Sequence, residues 1–184
     1  MRTSKLSSKL FQGMIFAAVA TLAGCVQVQA NVPDVEVTQH GIRFEAVPFG
    51  SKLGEVSITR TFTLSRDALS FAKNLNSEVY ATEVTITPVA PLTDLSFIHS
   101  ARVMMSSSSS STPIAPAELI NYDRAGAPVS LPELTVKTLY PVDVTELWAA
   151  EKTTITLTIS GVLPETAWGV DLTLRLGGKI EYKM

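Results

Sequence analysis

The chain has 184 residues, with 15 Lys and Arg against 17 Asp and Glu, and a formal charge of −2. That length suits one domain, and so mild an acidic balance gives no electrostatic reason to seek nucleic acid or anionic lipid. A single cysteine excludes an intramolecular disulfide and leaves stability to a hydrophobic core.

The chain opens with Arg2, Lys5 and Lys9, followed by the apolar run Met14-Ile15-Phe16-Ala17-Ala18-Val19-Ala20 and small residues up to Gly24. Charged start, greasy segment and small residues together make a secretory signal. The run is too short to cross a bilayer, which takes ~20 apolar residues. Leu22-Ala23-Gly24-Cys25 resembles the lipobox of bacterial envelope lipoproteins. The resemblance covers residues 1–25. It implies that residues 1–24 are removed, that the Cys25 thiol carries a diacylglycerol, and that the membrane is the first partner. The remaining 160 residues hold 12 basic and 17 acidic side chains, a formal charge of −5, so the lipid must supply the attachment. At about 0.8 kcal/mol per buried methylene, two or more acyl chains anchor stably where one does not. Val26 stands where aspartate often marks inner-membrane retention, which favours the outer membrane. Residues 25–33 read as a lipidated tether or, through their own alternation, as the start of a strand. Residues 26–33 reach at most ~26–29 Å when extended. Residues 34–184 read as one domain.

That domain reads as strands. Val35 to Thr38, Ile42 to Val47, Val56 to Leu64, Glu78 to Thr87, Leu95 to Met105 and Leu134 to Tyr140 are dense in β-branched residues, with Pro or Gly at the joins. Thr154 to Ser160 alternates without a fault, which puts Ile155, Leu157 and Ile159 on one buried face. Trp168, Val170, Leu172, Leu174 and Leu176 do the same, and Ile180, Tyr182 and Met184 continue the rhythm. Gly177-Gly178 between them predicts a terminal hairpin with Leu174 opposite Ile180 and Gly178 in the left-handed region. Two segments have helical spacing. Ser65 to Asn76 is one; the other is a short helix carrying Leu147 and Trp148 behind the capping-box pattern Asp143-Val144-Thr145-Glu146. The six serines Ser106 to Ser111 predict a polar loop. Half-solvated strands without regular strand–helix alternation predict an all-β antiparallel sandwich, immunoglobulin-like or jelly-roll-like, with one or two short helices.

The search for chemistry is mostly negative. No Gly-x-Ser-x-Gly elbow occurs, and the lone thiol is assigned to lipid. His40 and His99 lack zinc spacing, no calcium or phosphate loop is present, and no two carboxylates are nominated as a pair. No catalytic residue, metal or cofactor is therefore expected. Arg60 and His99 fall where alternation predicts a buried face. Each is read as an inward charge that protects a sheet edge or is satisfied by hydrogen bonds, against the alternative of the polar floor of a groove. Trp148 and Trp168 invite a sugar-binding reading; Trp168 begins an alternating strand and is read as core, whereas Trp148, beside Leu147, is read as equally suited to plug the sandwich. Asn121, Tyr122, Asp123 and Arg124, in a polar turn-like stretch, form the candidate contact surface. The functional expectation is a non-catalytic, lipid-anchored structural or interaction module. A surface module that binds an envelope protein or a glycan comes second, and a hydrolase third.

Overall fold

The computed structural model describes residues 27–47, 56–64, 76–107, 114–127, 129–150 and 152–183. In chain order these form β1 (Gln27–Phe44), β2 (Val56–Thr63), β3 (Asn76–Val89), β4 (Ile98–Ser107), β5 (Ala117–Asp123), β6 (Leu134–Asp143), α1 (Thr145–Ala149), β7 (Thr153–Gly161) and β8 (Trp168–Lys183). Among the described residues no helix is long and apolar enough to cross a membrane.

Two four-stranded sheets form, ordered β1-β8-β3-β6 and β2-β7-β4-β5, with every pairing antiparallel. Strand 1 pairs with 8, 2 with 7, 3 with 6 and 4 with 5, as if one long hairpin had been rolled so that successive pairs fall in alternate sheets. That pairing defines an eight-stranded jelly roll. It selects the jelly roll over the immunoglobulin topology, which divides seven strands differently.

Alternation carries the core. In β7, Thr153, Ile155, Leu157 and Ile159 are buried while Thr154, Thr156 and Thr158 are half-buried on the outer side. Val170, Leu172, Leu174 and Leu176 of β8 face them with Val84 and Ile86 of β3. Trp168 is buried, as expected of a core residue, and Trp148 is buried as well, which settles its place in the core.

The terminal hairpin does not form. β8 runs unbroken to Lys183, and Leu174 pairs with Val37 on one side and Val84 on the other rather than with Ile180. Gly177 and Gly178 lie inside the strand, opposite Tyr80 and Val79, and neither has a positive φ. A Cβ on Gly177 would stand 2.9 Å from Asp34 Oδ1, so here glycine permits a close approach instead of a turn. Strands β1 and β3 both need a partner along their full length, and pairing on two sides outweighs a local turn preference. The stretch from Gln27 to Val32 is itself strand, paired with Lys183 to Gly178. Val35 to Thr38 and Ile42 to Phe44 belong to this one strand, kinked by irregularities at 32/35 and 39/42.

Other expectations shift locally. β5 was not foreseen, because Ala117–Asp123 lacks alternation and buries Leu119 and Ile120 in succession. α1 forms, but its N-cap is Val144 and has no side-chain cap bond. Asp143 Oδ1 instead accepts from the Thr145 N–H at 2.9 Å, and Thr145 Oγ1 accepts from the Val79 N–H at 2.8 Å, which ties the helix to β3. The first helical expectation lies, apart from Asn76, outside the described residues, as do Ser108 to Ser111. Ser106 and Ser107 extend β4 opposite Thr154 and Thr153.

Candidate functional site

Antiparallel pairing sorts the connections between two ends. Gln27, Leu64, Ser107, Ile114 to Pro116 and α1 mark the end from which the chain emerges after Cys25. The residues after Phe44, the turn 90–97, the residues after Asp123 and the turn 162–167 mark the other. At roughly 3.3 Å per residue, the eight residues of β2 separate its two ends by about 25 Å, and the 18 of β1 reach further. Cys25 itself lies outside the described residues.

At the far end an aromatic cluster closes the core. Trp168 stacks on Phe44 with centroids 4.3 Å apart, and Phe97 meets it edge-on at 5.0 Å. The buried Trp168 Nε1 has no hydrogen-bond partner, a costly state for a donor away from water. Beside this cluster Arg60 projects from β2, an edge strand, on the same face as Ile58 and Phe62. Its Nε donates to the Arg43 carbonyl at 2.8 Å, and its guanidinium carbon lies 5.9 Å from the centre of the Phe44 ring. The expected edge position and hydrogen bond are both present. So is the alternative, because Arg60 also lines a recess of about 360 Å³ between the ends of β1 and β2, with Phe44, Glu45, Val47, Val56 and Ile58. A second recess of about 390 Å³ lies on the other side of Phe44, against Arg43, Pro91 and Trp168. An apolar recess with one cation at its wall is the arrangement of a small binding site.

The remaining sequence candidates are scattered. β4 has an irregularity between Ile98 and Ser100, so Ile98 is buried while His99 is only half-buried. The His99 carbonyl accepts the Arg124 N–H at 2.8 Å. Asn121, Tyr122 and Asp123 end β5 rather than forming a turn, and Tyr122 packs on the core. Arg124 Nη1 donates to the Ser96 carbonyl. These residues bind the fold to itself more than they offer a surface; only Asn121 and Asp123 are exposed.

The charged groups form cross-strand contacts. Glu36, Arg175, Glu83 and Lys137 make one row of alternating sign across β1, β8, β3 and β6, with Arg175 Nη2 2.9 Å from Glu36 and Nη1 3.5 Å from Glu83. The next row, Thr38, Thr173, Thr85 and Thr135, is hydroxyl throughout. Glu36 holds the Arg175 guanidinium more firmly protonated, with Glu83 adding to it. His40 Nδ1 lies 2.8 Å from Asp171 Oδ2, and the Gly41 N–H donates to Oδ1 at 2.7 Å. Burial raises the Asp171 carboxyl, but Gly41 and His40 outweigh it and hold the group below its usual range. The imidazole is 76 % exposed, on an outer sheet face rather than in a cleft. Asp94 accepts from the Ser96 N–H, the Ser130 hydroxyl and the Leu131 N–H at 2.7–2.8 Å. Ser96 and then Ser130 depress its pKa far below the carboxylate range, and the contacts clamp two far-end turns together. Among the described residues no three His, Cys, Asp or Glu converge as a metal site.

No described protein family and no curated protein matches the sequence. Among solved structures, the chain is similar to that of Desmodium yellow mottle tymovirus (11 % identity, 100 % of this chain and 97 % of that one, TM-score 0.39). It is also similar to the BFDV capsid protein, crystallised as a decamer (8 %, 82 % and 99 %, 0.37), and to cocksfoot mottle virus (12 %, 97 % and 97 %, 0.34). The jelly-roll assignment rests on the strand pairing itself.

Proposed function

We propose that this chain is a non-catalytic, lipid-anchored jelly roll of the bacterial envelope that serves as a structural or interaction module. The observation that carries the reading is the basic, apolar, small-residue leader ending in Leu22-Ala23-Gly24-Cys25. The fold is compatible with it. Strand pairing begins at Gln27, two residues after Cys25, so a lipid on that thiol would keep one end of the sandwich close to the bilayer and turn the Phe44–Trp168 end outward. The test is metabolic labelling with a tagged fatty acid. The wild-type chain incorporates label and fractionates with the outer membrane, whereas Cys25→Ala loses both properties; label retained by Cys25→Ala refutes the reading. A surface binding module is the second reading, favoured by the recess at Arg60. Asn121, Tyr122, Asp123 and Arg124 support it less, since Tyr122 packs on the core and Arg124 bonds to the Ser96 carbonyl, leaving two exposed side chains.

A further inference from the structure

We propose that the outer face of the β1-β8-β3-β6 sheet binds a neutral linear glycan, laid across the strands in the trough floored by Thr38, Thr173, Thr85 and Thr135. The proposal does not depend on lipidation; it gives the second reading above a site and a ligand class.

The trough follows from the register. Three successive rows of outward-facing residues cross this sheet. The first, Glu36, Arg175, Glu83 and Lys137, consists of long charged side chains, and the second is threonine on all four strands. The third holds the His40–Asp171 pair and Thr87, with Glu133 just before the start of β6. Short threonines beside the taller first row leave a recess of about 440 Å³, with Glu36, Arg175, Glu83 and Lys137 on one side and Glu133 on the other. Three interstrand steps of ~4.8 Å make the floor ~14 Å long from β1 to β6. The other sheet has no counterpart, because its hydroxyl rows Thr59–Thr158 and Thr61–Thr156 run into Arg102 and Met104 on β4.

The chemistry of the recess selects the ligand. Every side chain that lines it is a carboxylate, a cation or a hydroxyl. Arg175 is shared between Glu36 and Glu83, and Lys137 lies 3.6 Å from Glu83. Glu133 takes part in none of these pairs and is exposed. Thr38 bonds to Thr173 at 2.9 Å and Thr85 to Thr135 at 3.0 Å. Each pair uses one hydroxyl hydrogen and leaves the other, with the remaining lone pairs, to a ligand. Three carboxylates stand against two cations, a balance that disfavours a phosphate or any polyanion. A protein partner finds no apolar or aromatic anchor on this floor. A neutral chain of hydroxyls, able to donate and accept at every ring, matches both the composition and the elongated shape. With no aromatic ring to stack on, each sugar contributes little, so affinity accumulates along the ~14 Å floor, the length of about three rings.

Titration of the full chain in mild detergent with neutral linear oligosaccharides tests this, using glucose, mannose, xylose and N-acetylglucosamine series of increasing length. At least one series should bind, with affinity that climbs from monomer to trimer and then levels off. Glu133→Ala, an exposed change that does not endanger folding, should weaken binding about tenfold, the worth of one hydrogen bond to a charged group. Thr85→Lys fills the trough and should abolish binding. Thr61→Lys, a matched change on the outer face of the other sheet, should bind as wild type does, and melting curves establish that all three variants are folded. No binding by any series overturns the proposal, as does affinity that is independent of length. So does binding that survives both Glu133→Ala and Thr85→Lys, or that is lost equally in Thr61→Lys. None of these variants touches Cys25, so fatty-acid labelling separates a failure here from a failure of the lipid anchor.

Discussion

Gly161→Ala tests how the far end of the sandwich is assembled. Gly161 ends β7, a central strand, and pairs with Val56 of β2 on one side and Ile98 of β4 on the other. A Cβ there would run into the Phe97 carbonyl oxygen and stand 2.9 Å from the His99 backbone nitrogen. Both are main-chain atoms, so no side chain can swing away. The same carbonyl accepts the Val162 N–H at 3.1 Å, a bond that relief of the clash must stretch. Overpacking of this kind costs about 1–3 kcal/mol, and a backbone hydrogen bond contributes roughly 0.5–1.5 kcal/mol. A loss of about 2–4 kcal/mol is expected, which for a domain of this size lowers Tm by roughly 5–15 °C. Thermal unfolding followed by circular dichroism reads it directly. Gly126→Ala is the comparison. Gly126 has φ +103 and nothing within 4 Å of its Cβ position, so strain at an exposed turn is its only cost and the drop should be under half as large. If Gly161→Ala unfolds within ~2 °C of wild type, or no lower than Gly126→Ala, the close approach of Phe97 to Gly161 is refuted, because a blocked main-chain contact has no cheap escape.

Asp94→Asn should lower Tm at neutral pH, because the amide cannot replace a carboxylate that accepts from Ser96, Ser130 and Leu131. The folded pKa is depressed, so this stabilisation is complete above the unfolded value near ~4 and fades as pH falls toward the folded one. Melting curves should show the gap between wild type and variant narrowing below about pH 4; a constant gap refutes the charge-based account. Tyr80 donates to Glu78 Oε2 at 2.5 Å, and that bond, with burial and the Glu78 charge, pushes its phenol up to about 12. Its contribution is complete below pH ~10 and fades as pH rises through the raised folded value. One tyrosine should ionise late in a spectroscopic titration, and Tyr80→Phe should remove that step while leaving the others; a late step that persists in Tyr80→Phe assigns it elsewhere.

What the linear chain determined was whatever repeats within a few residues. Thr154 to Ser160 shows its buried face through strict alternation, and the β8 run from Trp168 to Leu176 does the same, because the strand period is a property of the local backbone. The basic, apolar and small-residue stretch that ends at Cys25 is equally local, and the proposed lipid anchor rests on it. Tertiary structure decided what depends on the partner. Gly177-Gly178 favours a turn in isolation, yet β1 and β3 both pair across it and keep β8 straight. His99 sits on the expected alternation until an irregularity opposite Gly161 and Ser160 turns Ile98 inward instead. Tyr122 reads as a turn residue until its pairing with Ala101 makes it strand. Phe44 and Val47 meet Val56, Ile58 and Arg60 at one recess only because β1 and β2 belong to different sheets and face each other at an unpaired seam. Leu139 and Tyr140 are exposed because the register of β6 against β3 slips by several residues. Register and sheet order are fixed by contacts between distant strands, and no local pattern encodes them.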